Sequence, residues 1–264
     1  MAHIDRIRRY PVKGFDAEEV ETVSITDAGT VAGDREFAMT DPAASAENGA
    51  LREFAYNGKQ TARIHELRTS VDADAGTLTV RTPDGERRRF DLSADREAIG
   101  EWLSSYLDVE VAFHRTEPPA FVDRPSMGPS VISTATLREV ASWFEGMTVE
   151  SARRRLRANV EVGGVPAFWE DRFVGADAPA FVAGDVRFEG AEPCARCVVP
   201  ERDPDTGDPL PEFRRRFVER REATFPEWAD ADAFDHYYTL MLIARVPEES
   251  RGTTLSVGDE VTLV

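Results

Sequence analysis

Residues 193–207 read Pro193-Cys194-Ala195-Arg196-Cys197-Val198-Val199-Pro200-Glu201-Arg202-Asp203-Pro204-Asp205-Thr206-Gly207. This stretch holds both cysteines of the chain, spaced C-x-x-C. A structural zinc needs about four ligands, and the remaining candidates, His3, His65, His114 and His236, are scattered singly without ligand spacing. A thioredoxin-like pair opens a helix beside a βαβ pattern, and none surrounds this one. Two inert buried thiols are the plainest reading. Arg196 counts against it, because a guanidinium beside a thiol favours thiolate, the form that binds soft metals or attacks electrophiles. Pro193 in front and Asp203-Pro204-Asp205-Thr206-Gly207 behind predict a rigid loop between strands, a better setting for a ligand than for a core filler.

Upstream of this loop, Leu156, Ala158, Val160 and Val162 alternate with Arg155, Arg157, Asn159 and Glu161, which predicts a strand. Arg157 and Asn159 then share one face. Arginine reads anions, and asparagine offers both donor and acceptor to a heterocycle; a solvated strand face is the bland alternative. Trp169-Glu170-Asp171 sets two carboxylates by an aromatic, as a general acid or as partners of an arginine. Residues 134–145 predict an amphipathic helix with Leu137, Val140, Ala141 and Phe144 inward and Gly146 at its end. Asp208-Pro209 is placed to cap a helix carrying Phe213 and Phe217. Residues 237–246, and 255–263 around a Gly258-Asp259 turn, predict the closing strands.

The first hundred residues read as mostly β. Val20, Val23 and Ile25 sit among Thr22, Ser24 and Thr26, and Phe37 alternates with Met39. Leu78 and Val80, a Pro83-Asp84-Gly85 turn, then Phe90 and Leu92, form a hairpin signal. Residues 41–49 read as a loop. A helix capped by Ser93 carries Ile99, Trp102, Leu103, Tyr106 and Leu107 on one stripe. Pro118, Pro119, Pro125 and Pro129 mark a linker, so the chain divides into residues 1–117 and 118–264. Strands do not alternate regularly with helices, which excludes a doubly wound parallel sheet and favours a mixed, barrel-based architecture. Two turn segments stand out: Tyr10-Pro11-Val12-Lys13-Gly14 and Gly33-Asp34-Arg35. Lysine and arginine at turns after strands are good phosphate donors, or else an ordinary surface lysine and a salt-bridged arginine.

The 264 residues carry 49 Asp plus Glu against 32 Lys plus Arg, for a net charge of −17. Lys13 and Lys59 are the sole lysines. So acidic and lysine-poor a chain points to a salt-loving cell. It argues against nucleic-acid or anionic-membrane binding, which need a basic footprint. At ~1 M salt the Debye length is about 3 Å, so an anion site there works through direct hydrogen bonds. Two cysteines make no disulfide framework and fit a reducing cytoplasm. The N-terminus opens into a strand-like pattern with no signal peptide. No apolar run approaches the ~18 residues of a membrane span, and there are no repeats.

Taken in order, Tyr10-Pro11-Val12-Lys13, Gly33-Asp34-Arg35, Arg155-Leu156-Arg157-Ala158-Asn159 with Glu170-Asp171, Cys194-Ala195-Arg196-Cys197 with Asp203-Pro204-Asp205-Thr206-Gly207, and Val257-Gly258-Asp259-Glu260-Val261 resemble proteins with an N-terminal β-barrel followed by a MOSC domain. That group includes the mitochondrial amidoxime-reducing component and its bacterial relatives, and the resemblance covers essentially the whole chain. It implies an α+β, β-rich fold: a barrel-like N-terminal domain, then a MOSC-type β-barrel domain with a few helices. It implies a molybdenum cofactor of the molybdopterin type held between the two parts, with Cys197 as metal ligand and Cys194 structural. Lys13 and Arg35 would bind the cofactor's phosphate, and Arg157 and Asn159 would line it. With Gly14 and Arg196 from the same motifs, these form the expected cofactor-binding set. Asp171 is the candidate proton donor beside Cys197.

The resemblance further implies reduction of N-hydroxylated compounds. A pyridoxal phosphate-type association is also left open. The chain departs from the pattern at Gly14, where the group has serine, at Ala158, where it has proline, and at Pro200-Glu201, where it has two threonines. The chain ends at Val264 without the four cysteines of an iron–sulfur domain, so electrons are expected from a separate protein. Two other functions compete: a persulfide carrier or sulfurtransferase using Cys197, and a cofactor-binding module without turnover. The cationic set Lys13, Arg35 and Arg157 favours the cofactor, since a persulfide carrier needs no such cradle.

Overall fold

The computed structural model describes residues 1–44, 51–73 and 75–264; the loop expected at residues 41–49 lies partly outside them. The N-terminal segment contributes β1 (His3–Arg9), β2 (Glu18–Val20), β3 (Thr22–Ser24) and β4 (Phe37–Thr40). Then come β5 (Arg68–Asp72), β6 (Thr77–Arg81), β7 (Arg87–Asp91), helix α1 (Arg96–Leu107) and β8 (Ala112–Arg115). The remainder carries β9 (Ser130–Ser133), α2 (Thr134–Ser142), α3 (Val149–Leu156), β10 (Val160–Gly163), β11 (Phe181–Ala183) and β12 (Val186–Ala195). Helix α4 (Phe213–Ala223), β13 (Thr239–Arg245), β14 (Thr254–Ser256) and β15 (Val261–Leu263) complete it. The fold is β-rich with four α-helices, as expected, and the ladders among the described residues form open sheets rather than a closed barrel.

The main sheet runs β15-β11-β12-β13-β9-β10-β1-β2. Its first and last strands in sequence share one ladder system, so the N-terminal strand is built into a sheet of C-terminal strands. One row crosses it: Pro193 faces Leu242, Leu242 faces Val131, Val131 faces Val160, and Val160 faces Ile7. All the motifs beside that row are thereby gathered within a few residues of each other. β9 and β10 are parallel, which demands a crossover, and α2 and α3 supply it. Ile7, Val160, Phe173, Phe181, Phe188 and Leu242 pack in the sheet's core. Leu137, Val140, Trp143, Phe213 and Phe217 pack the helices on another face. A third cluster joins Val12, Phe37, Leu78, Val80, Ile99 and Leu103 around α1. No helix among the described residues is long and apolar enough to cross a membrane.

Three local expectations change. Residues 155–162 are not one strand. Helix α3, capped by the Thr148 hydroxyl accepting from the Ser151 N–H, runs to Leu156; Arg157 turns left-handed (φ 61°), and β10 begins at Val160. The alternation was real, but it belonged to a helix end and a strand start that happen to share phase. Ala152, Arg153, Arg155 and Leu156 are buried on the helix, a spacing that sequence alone let pass as period two. Ser93 does not cap α1: it sits in a turn closed by Asp91, whose carboxylate accepts from the Ser93 and Ala94 N–H groups, and the helix starts at Arg96. Asp208-Pro209 likewise lies ahead of α4, which begins after Glu212 in a left-handed conformation.

Arg221 on α4 is fully buried and pairs with the buried Asp171. The ring of Phe168 lies 4.5 Å from its guanidinium carbon. Burial, and then the Asp171 charge, push the neighbouring Glu170 carboxyl up. Breaking a buried pair leaves one charge uncompensated, at about 3–5 kcal/mol, whereas replacing both partners by apolar groups is close to neutral. Asp171→Ala should therefore lose about 3–5 kcal/mol in urea unfolding, and Asp171→Leu/Arg221→Met should recover most of that loss. A single variant as stable as the wild type contradicts the assignment.

Candidate functional site

Tyr10 lies one residue past the end of β1 and is buried. Its N–H donates to Asp34 Oδ1 (2.8 Å), its carbonyl accepts from the Arg35 N–H (2.8 Å), and its hydroxyl donates to the Ala158 carbonyl (3.2 Å). The guanidiniums of Arg157 and Arg35 lie over its ring at 4.2 and 4.9 Å. Three stretches far apart in sequence thus meet at one phenol, and Asp34, Arg35 and Arg157 around it line an open cleft.

Of the expected residues, Lys13, Gly14, Arg35, Arg157, Asn159, Arg196 and Cys197 all line this cleft. Their detailed roles differ from the expectation in several ways. Lys13 is buried and donates to the Phe121 carbonyl (2.8 Å) and to Asp123 (2.7 Å). Burial pulls its pKa down and Asp123 opposes this. Burial pushes Asp123 up, but Lys13, Arg35 and Lys59 outweigh it and hold that carboxyl at about 2. Arg35 pairs with Asp34. Arg157 donates to the Phe15 carbonyl (2.8 Å) and has no carboxylate partner among the described residues. Asn159 spends its amide on the frame: Oδ1 accepts from Ser130 N–H (3.2 Å) and Oγ (3.0 Å), and Nδ2 donates to the Arg8 carbonyl (3.1 Å). It ties the ends of β1, β9 and β10 together rather than presenting a free hydrogen-bonding edge.

The two thiols are unlike. Cys194 is buried, and Arg196 Nη1 approaches its sulfur at 3.2 Å. The guanidinium expected to serve the pair therefore falls on Cys194, and it also donates to the Leu156 carbonyl (3.0 Å). Cys197 is half-buried, and its sulfur has no hydrogen-bond partner among the described residues. Its backbone is fixed instead: the Tyr238 hydroxyl donates to the Cys197 carbonyl (3.1 Å). Arg155 donates to the Pro200 carbonyl (3.1 Å) and Asp203 (3.1 Å), pinning the loop that follows. Among the described residues no three or more His, Cys, Asp or Glu side chains cluster to hold a metal. A metal at Cys197 must bring its other ligands with it. Asp171, expected near the chemistry, is committed to Arg221 and does not line the cleft.

Several lining residues escaped the sequence reading: Asn57, Gly58, Lys59, His65, Asp123 and Arg124. One signal was present. Both lysines of a chain that otherwise uses arginine line this one cleft. Lys13, Arg35, Lys59, Arg124, Arg157 and Arg196 face two carboxylates, Asp34 and Asp123, so a protein of charge −17 presents a cationic cleft. Gly14 is also explained. At φ 91° a Cβ would lie 2.8 Å from Ile64 Cδ1, so a serine there needs the turn to shift.

Two family models match the chain. The MOSC N-terminal beta barrel domain matches residues 1–110, and the MOSC domain matches residues 128–262. The MOSC domain is associated with molybdenum cofactor binding. No curated protein matches the chain.

His65 lines the cleft with its Nε2 buried and, among the described residues, without a hydrogen-bond partner. Burial, then the charges of Arg157, Arg202 and Arg155, push its pKa down to about 4. The folded protein therefore holds a neutral imidazole where the unfolded chain takes up a proton below ~6.5, and stability falls as pH drops from there toward 4. The ring is half-buried, so the effect is discounted to on the order of 1 kcal/mol. Thermal unfolding of His65→Gln should show a shallower acid loss by this amount than the wild type, and parallel curves would contradict it.

Proposed function

The chain belongs to the MOSC-domain family, and on that footing we propose that its cleft holds a molybdenum cofactor of the molybdopterin type. In this reading Cys197 is the protein's ligand to the metal, and the protein reduces N-hydroxylated compounds. One observation carries it: the Cys197 sulfur, without a hydrogen-bond partner among the described residues, opens onto a cationic cleft of an acidic protein. Cys197 supplies one soft donor, and a cofactor that brings sulfur donors and a phosphate supplies what the protein lacks. When bound, such a cofactor supplies two-electron removal of an oxygen atom.

The residues divide the work. Arg157, without a carboxylate partner among the described residues, offers the least encumbered guanidinium of the cleft to an anion. Lys13 has committed two of its three ammonium donors, leaving one for a phosphate oxygen. Arg35 stands beside it, oriented by Asp34 and Tyr10. Each such charge-assisted bond contributes roughly 1.5–3 kcal/mol and survives salt that erases steering. Asn159 and Arg196 position the frame and the Cys194 side of the loop. Cleaving an N–O bond consumes two electrons and two protons and releases water. His65, neutral with an unpartnered Nε2 in the cleft, is the chain's candidate to carry a proton there. The electrons come from a separate protein, and two unpaired thiols suit a reducing, salt-rich cytoplasm.

A persulfide carrier is favoured by one fact, that both cysteines line the same cleft. It leaves the six cations without a task. The test is elemental analysis after production in a host that makes molybdenum cofactor, followed by an amidoxime-reduction assay with a chemical reductant. The wild type should hold near-stoichiometric molybdenum and turn over. Cys197→Ala should lose both by at least about tenfold, the loss of a directly held group, and Cys194→Ser should keep its metal. Metal retained by Cys197→Ala and lost from Cys194→Ser reverses the ligand assignment.

A further inference from the structure

Strands β5, β6 and β7 form a separate three-stranded sheet whose inner face is closed by Leu78 and Val80 against α1. Its outer face has a composition foreign to this chain. The register sets Arg68 opposite Arg81 and Arg81 opposite Arg87, and sets Thr79, the neighbour of Ser70, opposite Arg89. Since alternate residues share a face, Arg68, Arg81, Arg87 and Arg89 stand together on one exposed side. Neighbouring strands lie about 4.8 Å apart, so the row of three spans roughly 10 Å. Like charges directly opposite each other across a sheet are destabilising. Here they are stacked three in a row, in a protein with 49 carboxylates to spare.

Neutralisation within the chain is incomplete. Arg68 pairs with Asp205. Arg81, Arg87 and Arg89 make no ion pair among the described residues, although Arg88, on the other face, pairs with Glu86. At the far end of the same face Asp72 and Asp91 flank Thr77, so the face is positive at one end and negative at the other. The positive end abuts the cleft. Arg68 donates to the carbonyl of His65 (3.2 Å), which lines the cleft, and its partner Asp205 belongs to the loop that follows Cys197 and is also held by Arg154 (2.6 Å). The face is open: Arg68, Arg81, Arg87 and Arg89 on it are all exposed among the described residues.

We propose that the arginine face of β5–β7 is the docking surface for a carboxylate-rich protein, the electron donor that the reduction chemistry requires. The identification of the partner as an electron donor rests on the functional reading above; the location and charge of the surface do not. Arginine forks bind carboxylates bidentately at contact distance, which suits recognition where salt screens longer-range attraction. Docking here sets a partner against the rim of the cleft and leaves the cleft's own residues free for cofactor and substrate.

The test uses the full chain and an acidic [2Fe–2S] ferredoxin as the probe, with binding measured by titration calorimetry at low salt. It requires no molybdenum in the protein. Arg81→Glu/Arg87→Glu reverses two exposed charges on the face. Arg138→Glu/Arg216→Glu makes the same change in net charge at exposed positions on α2 and α4. The expected result is binding by the wild type, at least about tenfold weaker binding by the face variant, and little change in the control variant. No binding, or equal loss in both variants, overturns the proposal. So does arginine-dependent binding of a short DNA duplex in preference to the ferredoxin. Because metal content is measured separately, a protein that binds molybdenum but not ferredoxin refutes the docking surface alone. One that binds ferredoxin but no molybdenum refutes the functional reading alone.

Discussion

The ring of Tyr10 under the guanidiniums of Arg157 and Arg35 is the contact on which the site depends. A buried cation–π contact contributes up to about 2 kcal/mol, but its larger effect is geometric. Tyr10 is fixed by β1 behind it, by Asp34 at its N–H and by Ala158 at its hydroxyl. Both cations are therefore held at one wall of the cleft. Arg157 reaches that wall because the chain turns left-handed there between α3 and β10. Asn159, two residues on, locks the ends of three strands so that the turn is always in the same place. Burial pushes the phenol's pKa up, against the lowering effect of Arg157, Arg8 and Arg35. A neutral ring is the state that accepts two cations without neutralising either.

The same economy governs charge. The chain is acidic overall, yet cations accumulate in the cleft and on the outer face of β5–β7. Neither can act at a distance in concentrated salt. Both are built for direct contact. In the cleft the cations are oriented by carboxylates, carbonyls and the Tyr10 ring; on the sheet face they are aligned by register. The loop proposed to hold the metal follows a similar logic. The loop around Cys197 is fixed through backbone carbonyls by Tyr238 and Arg155, which leaves the sulfur itself uncommitted.

Much of this was legible in the sequence, and the failures have physical causes. Lys13, Arg35 and Cys197 could be chosen only through the resemblance to MOSC-domain proteins, since residue type alone left a surface lysine, a salt-bridged arginine and two inert thiols open. What each one touches could not, because Asp123 and the Phe121 carbonyl reach Lys13 across more than a hundred residues. Asn159 was read as a ligand contact since an asparagine beside an arginine looks the same whether its amide faces a pterin or a strand end. The strand predicted at residues 155–162 failed because a short helix and a short strand can share an apolar rhythm across one left-handed residue. Asp171 was drawn toward the chemistry by its neighbours in sequence, whereas Arg221, fifty positions away, claims it. The arginine row on β5–β7 is invisible until register is known, since Arg68, Arg81 and Arg87 are not neighbours in the chain.

Native mass spectrometry of the intact protein, purified in salt from a host that makes molybdenum cofactor, tests the central claim most directly. The account predicts a folded chain carrying the added mass of molybdenum and a phosphorylated pterin, lost together when Arg157 and Arg35 are both replaced by alanine. A folded chain without that added mass, or one carrying a single extra sulfur atom on Cys197, would contradict it.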